Sequence, residues 1–123
     1  MKNSITFIGQ VSHQQVPLEL DIYVALGRLE SFCVAIIEAG AMRLPCIVSN
    51  VGGLPEVVRN NETGIIVPRE NPKAAAEALE KLVLDVQLQN NMGNAAYDFV
   101  RSHFAWDSCV NKMNQIYKQL LGK

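Results

Sequence analysis

The strongest constraint on the fold of this chain is the alternation of short apolar runs with segments of helical periodicity. The runs DIYVAL, CIVS and IIVP are short, rich in β-branched residues and bounded by turn-forming residues, which predicts three buried strands. The earlier run ITFIG, from Ile5 to Gly9, has the same character and predicts a further buried strand. Because apolar strands that alternate with helices are typical of parallel βαβ units, the chain is predicted to be an α/β protein with a parallel sheet.

Helical segments separate and follow these runs. The segment SFCVAIIEAGAMR has apolar residues at helical spacing and predicts a helix from Ser31 to Arg43, which Pro45 ends. NVGG predicts a turn into a short helix over LPEVV, and Asn71-Pro72 marks the start of a longer amphipathic helix. A further helix is predicted from Gln87 to His103. A last apolar stripe predicts a C-terminal helix whose core-facing residues are Trp106, Val110, Met113, Tyr117 and Leu120.

Length and composition exclude several classes of protein. With 123 residues, of which 49% are hydrophobic, the chain is predicted to form one domain over residues 1–123. Eleven basic and twelve acidic residues are interspersed without long blocks, so no surface for nucleic acid is predicted. The odd number of cysteines, Cys33, Cys46 and Cys109, in apolar surroundings predicts reduced thiols and a cytoplasmic protein. No apolar run reaches the roughly 18 residues of a transmembrane segment.

Two carboxylates, Glu30 and Glu38, bracket a run of seven almost entirely apolar residues. In an open parallel sheet, ligands bind beyond the carboxyl ends of the strands, beside the starts of helices whose N–H groups favour phosphate. A carboxylate at such a place accepts hydrogen bonds from hydroxyl groups, so paired acids fit the sugar and the ribose of a nucleotide-sugar. The alternative interpretation is structural: Glu30 is an acid at a helix start, and Glu38 belongs to an exposed helix face.

The motifs around these acids indicate a family. The line ESFCVAIIEA from Glu30 to Ala39 is followed by LPCIV, GGLPEVV, ETGIIVP and the NPKAAAEAL helix. This order resembles the C-terminal domain of retaining GT-B glycosyltransferases, specifically family 4, and the resemblance continues through FAWDS to YKQLL. It covers nearly the whole chain, and two acids separated by seven residues form a specific combination with GGxPE and TGxxVP. The resemblance implies a three-layer, Rossmann-like parallel sheet with C-terminal helices.

The resemblance also implies roles for individual residues. Glu30 takes the catalytic position near the donor sugar, and Glu38 binds the ribose of a nucleotide-diphospho-sugar. The backbone amides of Ser31, Phe32 and Cys33 are expected to approach the sugar and the diphosphate. Family members usually need no metal ion, and the chain contains no Asp-x-Asp pair. No cofactor is therefore expected beyond the nucleotide-sugar, which is the donor substrate.

Other implied parts are absent from this sequence. Family members carry an acceptor domain and two further strands before the segment that matches ITFIG, and the Arg and Lys that neutralise the diphosphate lie there. The sheet is then left with an unpaired edge, which predicts a homo-oligomer or association with the missing N-terminal half. The predicted function is a glycosyltransferase fragment that binds the donor and is inactive alone. The alternatives are a non-catalytic sugar-nucleotide binding or interaction module and one subunit of a split enzyme.

Two departures from the family pattern predict local costs in stability. Arg43 stands where glycine is common, and a left-handed backbone at arginine costs about 1 kcal/mol relative to glycine. Ala105 stands where a capping serine is frequent, and the loss of such a cap costs roughly 1 kcal/mol.

Overall fold

The computed structural model describes residues 5–10, 20–30 and 33–122. Within these ranges, helices and strands alternate along the first two thirds of the chain, and helices alone follow. The elements are β1 (Tyr23–Ala25), α1 (Val34–Ala41), β2 (Cys46–Ser49), α2 (Leu54–Val57), β3 (Gly64–Val67), α3 (Pro72–Leu84), α4 (Val86–His103) and α5 (Trp106–Leu120). Ser31 and Phe32, which were predicted to open the first long helix, lie outside the described residues.

The strands of the described chain form one parallel sheet in the order β1-β2-β3. In the register of the sheet, Val24 pairs with Ile47, and Ile47 pairs with Ile65. Every residue of β2 is buried, because a middle strand in a parallel sheet is covered on both faces. The predicted α/β class with a parallel sheet and C-terminal helices is confirmed.

The side chains of β2 alternate between two hydrophobic clusters, one on each face of the sheet. Cys46 and Val48 belong to the cluster that also contains residues of α1 and α2, whereas Ile47 belongs to the cluster with residues of α3 and α4. The buried helix residues are Ile36, Ala39, Leu54 and Val57 in the first cluster, and Ala78, Leu82 and Met92 in the second. The protein therefore has three layers, with helices on both faces of the sheet.

The C-terminal end of α1 has the hydrogen bonds of a Schellman motif, with arginine in place of glycine. The amide of Leu44 donates to the carbonyl of Ala39 at 3.0 Å, and the amide of Arg43 donates to Gly40 at 2.9 Å. Arg43 has φ +62°, so its predicted left-handed conformation is confirmed. Its guanidinium lies 3.9 Å from the ring centre of Tyr97 on α4. This cation–π contact offsets part of the backbone strain.

The segment from Ile5 to Gly9 corrects one prediction, because it forms no strand. Its apolar side chains are exposed, and that of Phe7 is 95% exposed. The run satisfies the sequence pattern of a strand, but a strand also needs a neighbouring backbone to pair with, and none of the described strands pairs with this segment. The outer edge of β1 is likewise unpaired within the described chain, and its Val24 is exposed rather than buried.

The C-terminal helix corrects a second prediction. The apolar stripe on α5 exists, but none of its residues is buried. The side chains that were predicted to face the core are exposed, with Trp106 at 82% and Leu120 at 77%. The two hydrophobic clusters on the faces of the sheet are built from residues of α1 to α4, and none of the buried residues in them belongs to α5. As predicted, Ala105 makes no side-chain cap at the start of this helix.

The buried thiol of Cys46 makes the stability of the fold sensitive to alkaline pH. Burial, and then the nearby Cys33, raise the pKa of this thiol from 9.0 to about 12. Above pH 9 the unfolded chain releases this proton while the folded chain keeps it. The contribution of the protonated Cys46 thiol to the free energy of unfolding is therefore complete below about pH 9, and it is lost as the pH rises towards about 12.

We expect the free energy of unfolding to fall by about 1.4 kcal/mol for each pH unit above pH 9 through this thiol alone. Denaturant unfolding at a series of pH values checks this, with Cys46→Ala as the comparison. The variant is expected to be less stable than the parent chain near neutral pH, but its loss per pH unit above pH 9 should be smaller. Equal slopes for the two proteins would show that Cys46 does not contribute.

Candidate functional site

The loop between β1 and α1 carries the first predicted acid at the carboxyl edge of the sheet. β1 ends at Ala25 and α1 begins at Val34, so Glu30 lies in the connection between them. Cys33 precedes the helix as its N-cap residue and makes no side-chain capping hydrogen bond. Ser31 and Phe32, the other two predicted ligand-binding residues of this loop, lie outside the described residues.

The side chain of Glu30 is exposed and folds back over the backbone of its own loop. A Cβ atom built on Gly27 would lie 3.1 Å from Oε1 and 3.2 Å from Cγ of Glu30. The absence of a side chain at Gly27 thus leaves room for the carboxylate. An exposed carboxylate in this place is free to accept hydrogen bonds from hydroxyl groups of a ligand.

The second acid, Glu38, lies on α1 and is half-buried. It shares a neighbour with Glu30, the half-buried phenol of Tyr23 on β1. Burial raises the pKa of Tyr23, and the nearby Cys33, Cys46, Glu38 and Glu30 raise it further. Both carboxylates therefore contribute to the raised pKa of the Tyr23 phenol.

Contacts from neighbouring loops hold the segment before Glu30. The hydroxyl of Ser49, at the end of β2, donates a hydrogen bond of 2.7 Å to the carbonyl oxygen of Gly27. Nε of Arg28 lies 2.9 Å from Oε1 of Glu70 in an exposed ion pair, which contributes little in water. The guanidinium of Arg28 is thus paired with a carboxylate within the protein.

The paired glycines after β2 form the predicted tight turn. Gly52 has φ +50°, a conformation that favours glycine. A Cβ atom at this position would overlap the backbone of Glu30, since it would lie 1.4 Å from its carbonyl oxygen. The turn is therefore in direct backbone contact with the acid-bearing loop.

Neither of two hollows on the described surface is lined by the predicted acids. One, of about 180 Å³, lies at the carboxyl ends of the strands between Leu26, Ser49 and Pro68, next to the start of α3. The other, of about 290 Å³, is lined by residues that include Arg59 and His103. The guanidinium of Arg59 makes a cation–π contact there with Phe99, whose ring centre lies 4.6 Å from the guanidinium carbon.

The described residues contain neither a candidate metal site nor a helix suited to cross a membrane. No group of three or more histidine, cysteine, aspartate and glutamate side chains in this part of the chain is arranged to hold a metal ion. None of the described helices combines the length and the apolar character needed to cross a membrane.

Comparisons with known proteins agree with the fold. The chain is similar to sucrose-phosphate synthase from Thermosynechococcus elongatus, with a TM-score of 0.85 and 31% identity over 98% of this chain and 31% of that one. It is also similar in fold to Anabaena HepE in complex with UDP and glucose, with a TM-score of 0.82 and 20% identity over 99% of this chain and 33% of that one. The fold is therefore the Rossmann-like α/β fold found in GT-B glycosyltransferases.

The family follows from the sequence comparison. The family model for glycosyl transferases group 1 matches residues 1–99, and the chain belongs to this family. It is 30% identical over 122 residues to N-acetyl-alpha-D-glucosaminyl L-malate synthase of Bacillus anthracis, a match that covers 98% of this chain and 32% of that protein. The chain spans about a third of the length of the relatives it matches.

The sequence did not reveal two residues of this neighbourhood, Ser49 and Gly52. A serine at the end of the otherwise apolar run CIVS was a signal that could have been used, because a buried hydroxyl requires a partner. Gly52 was correctly assigned to a turn, but the residues around it in the sequence do not indicate its contact with Glu30.

Proposed function

We propose that this chain binds the nucleotide-diphospho-sugar donor of a group 1 glycosyltransferase, for transfer of the sugar to an acceptor. Glu30 takes the catalytic position near the donor sugar, and Glu38 accepts hydrogen bonds from the ribose hydroxyl groups. The backbone amides of Ser31, Phe32 and Cys33 bind the sugar and the diphosphate. These are the roles that the family resemblance implies for the residues that match its motif.

The observation that carries this proposal is the position of the acid-bearing loop at the carboxyl edge of a parallel sheet. Glu30 lies in the loop that follows β1, and Glu38 lies on α1, the helix that this loop enters. Open α/β sheets bind their ligands at this edge. The HepE structures with UDP and with UDP-glucose add support, because that protein has the same fold and holds such ligands.

Catalysis by the chain alone is not part of this proposal, since the chain spans about a third of its relatives. A complete transferase requires an acceptor site as well as a donor site. A sugar-transfer assay with an added acceptor domain distinguishes a catalytic part from a module that only binds. Both the catalytic part and the binding module require donor binding. Donor binding can therefore be tested with this chain alone.

Replacing Glu38 with alanine is expected to weaken donor binding about tenfold or more. A hydrogen bond to a charged group contributes about 1.5–3 kcal/mol, and about 1.4 kcal/mol corresponds to a factor of ten in the dissociation constant. Calorimetric titration with UDP-glucose and GDP-mannose measures this change. Glu77→Ala on the exposed face of α3 is the matched control and should leave the affinity unchanged.

Equal affinities in the parent chain and in Glu38→Ala would contradict the role of Glu38. A far-ultraviolet spectrum and a thermal unfolding curve of each variant show that the fold is retained. Failure of the folded parent chain to bind any tested UDP, GDP or ADP conjugate would contradict the proposed function.

A further inference from the structure

Ser49 is a buried polar residue at the end of an apolar strand, and only 2% of its surface is exposed. Its hydroxyl group donates to the carbonyl oxygen of Gly27 at 2.7 Å. A buried hydroxyl group without a hydrogen-bond partner is destabilising because its desolvation is not compensated. The conformation in which Ser49 is bonded to Gly27 is therefore favoured over one in which the loop has moved away. The hydrogen bond therefore fixes the backbone at the start of the acid-bearing loop.

Gly52 fixes the other end of the same loop. The backbone of this residue approaches Glu30 so closely that an added Cβ would lie 1.4 Å from the carbonyl oxygen and 2.6 Å from the carbonyl carbon of Glu30. Only a residue without a side chain allows this contact, and its φ of +50° also favours glycine. The position of the Glu30 backbone thus depends on the turn after β2.

The two contacts lie three residues apart on the loop, at Gly27 and at Glu30. Between them the side chain of Glu30 packs against Gly27, with Oε1 3.1 Å from the position of a Cβ atom there. The carboxylate is consequently placed by its own backbone and by the backbone that Ser49 holds. No covalent link and no charged partner of Glu30 is needed for this arrangement.

We infer that Ser49 and Gly52 are positioning residues for Glu30. β2 and the turn that follows it form a rigid base, which sets where the acid of the neighbouring loop stands. The consequence for ligand binding rests on the proposed function, in which Glu30 faces the donor sugar. The placement of the loop itself does not depend on that function and can be tested separately.

The first test follows the backbone carbonyl signal of Gly27 and the backbone signals of residues 28–30 in the isotopically labelled full chain. Ser49→Ala removes the hydroxyl group that donates to the carbonyl oxygen of Gly27, and we expect these signals to move while those of α1 stay in place. Ser49→Thr keeps a hydroxyl group and should leave the signals of the loop near their positions in the parent chain. Unchanged loop signals in Ser49→Ala, or equal shifts in both variants, would overturn the role of Ser49.

The second test compares Gly52→Ala with Gly122→Ala. Both glycines have a left-handed backbone, but nothing lies within 4 Å of a Cβ at Gly122. The strain of the backbone is therefore common to both variants, and the collision with Glu30 occurs in only one. We expect the amide and carboxyl signals of Glu30 to move in Gly52→Ala and to stay in place in Gly122→Ala. Identical Glu30 signals in Gly52→Ala and the parent would overturn the role of Gly52.

A titration with UDP-glucose or GDP-mannose connects the placement to function. If the parent chain binds one of these donors, Ser49→Ala and Gly52→Ala should bind it at least about fivefold more weakly. Retained affinity with a released loop would contradict the functional part of the inference. If the parent binds no donor, the proposed function fails, while the signal shifts still decide the positioning of Glu30.

Discussion

Replacing Gly93 with alanine is expected to destabilise the protein by about 2–3 kcal/mol, as overpacking in a tight contact does. The same substitution in the middle of an ordinary exposed helix is stabilising by roughly 1 kcal/mol, so the sign of the effect is diagnostic. In α4, a Cβ at Gly93 would lie 2.1 Å from the carbonyl oxygen and 2.9 Å from the carbonyl carbon of Arg43. Both atoms belong to backbone, which cannot give way as the end of a flexible side chain can.

The turn that Gly93 contacts is also anchored from other positions on α4. The Nη1 atom of Arg43 donates to the side-chain oxygen of Asn94 at 3.0 Å, and the same guanidinium stacks on Tyr97. An alanine at position 93 would separate the helix from this turn and weaken these contacts together. The effect should therefore exceed the strain of one methyl group.

Denaturant unfolding measures the change, and Asn90→Ala is the matched control. Asn90 lies on the exposed face of the same helix, so the control should be neutral or slightly stabilising. A Gly93→Ala variant as stable as the parent chain would contradict the close contact between α4 and the turn after α1.

Replacing Leu82 with alanine is expected to cost about 3 kcal/mol, within the usual range for a fully buried leucine. Its side chain is completely buried in the cluster that fills the space between α3, α4 and the sheet. The substitution removes apolar contact with Ile47 and its neighbours on that face and leaves a cavity. Because this cluster holds one of the two helical layers, the loss should appear as a lower midpoint of the whole transition.

Leu84→Ala on the same helix is the matched control, since this leucine is 76% exposed. Its substitution should change the free energy of unfolding by less than about 0.5 kcal/mol. Similar effects of the two substitutions would contradict the assignment of Leu82 to the buried face of α3.

Local signals in the sequence were sufficient for most of the fold. β2 lies over the run CIVS as predicted, and α3 starts directly after Asn71, whose side chain accepts a hydrogen bond of 3.0 Å from the amide of Ala74. The signals at these places are properties of neighbouring residues: apolar runs, a capping side chain and proline at the first helical position. Such features can be identified without knowing what the element packs against.

The incorrect predictions concern what covers an element. The run from Ile5 to Gly9 has strand propensity, but pairing depends on a second backbone that propensity does not reveal. The stripe on α5 is amphipathic, but periodicity alone does not say which surface lies opposite it. Both errors arise because apolar patterning was equated with burial in this chain.

In the candidate site, too, features of neighbouring residues could be predicted from the sequence, and contacts between distant residues could not. The spacing of Glu30 and Glu38 could be recognised in the sequence, and the resemblance supplied their roles. The hydrogen bond between Ser49 and Gly27 joins residues 22 positions apart, and the contact of Arg43 with Asn94 spans 51 positions. Contacts of this kind depend on how the elements pack, so no local pattern could predict them.

The most direct test of the donor site is a titration of the isotopically labelled chain with UDP-glucose and GDP-mannose, followed through the side-chain carboxyl signals of Glu30 and Glu38. We expect both signals to shift with the same dependence on donor concentration, while the signal of Glu77 on α3 stays in place. A chain in which neither carboxyl signal responds to any donor, or in which only one of them responds, would contradict a single site formed by both acids.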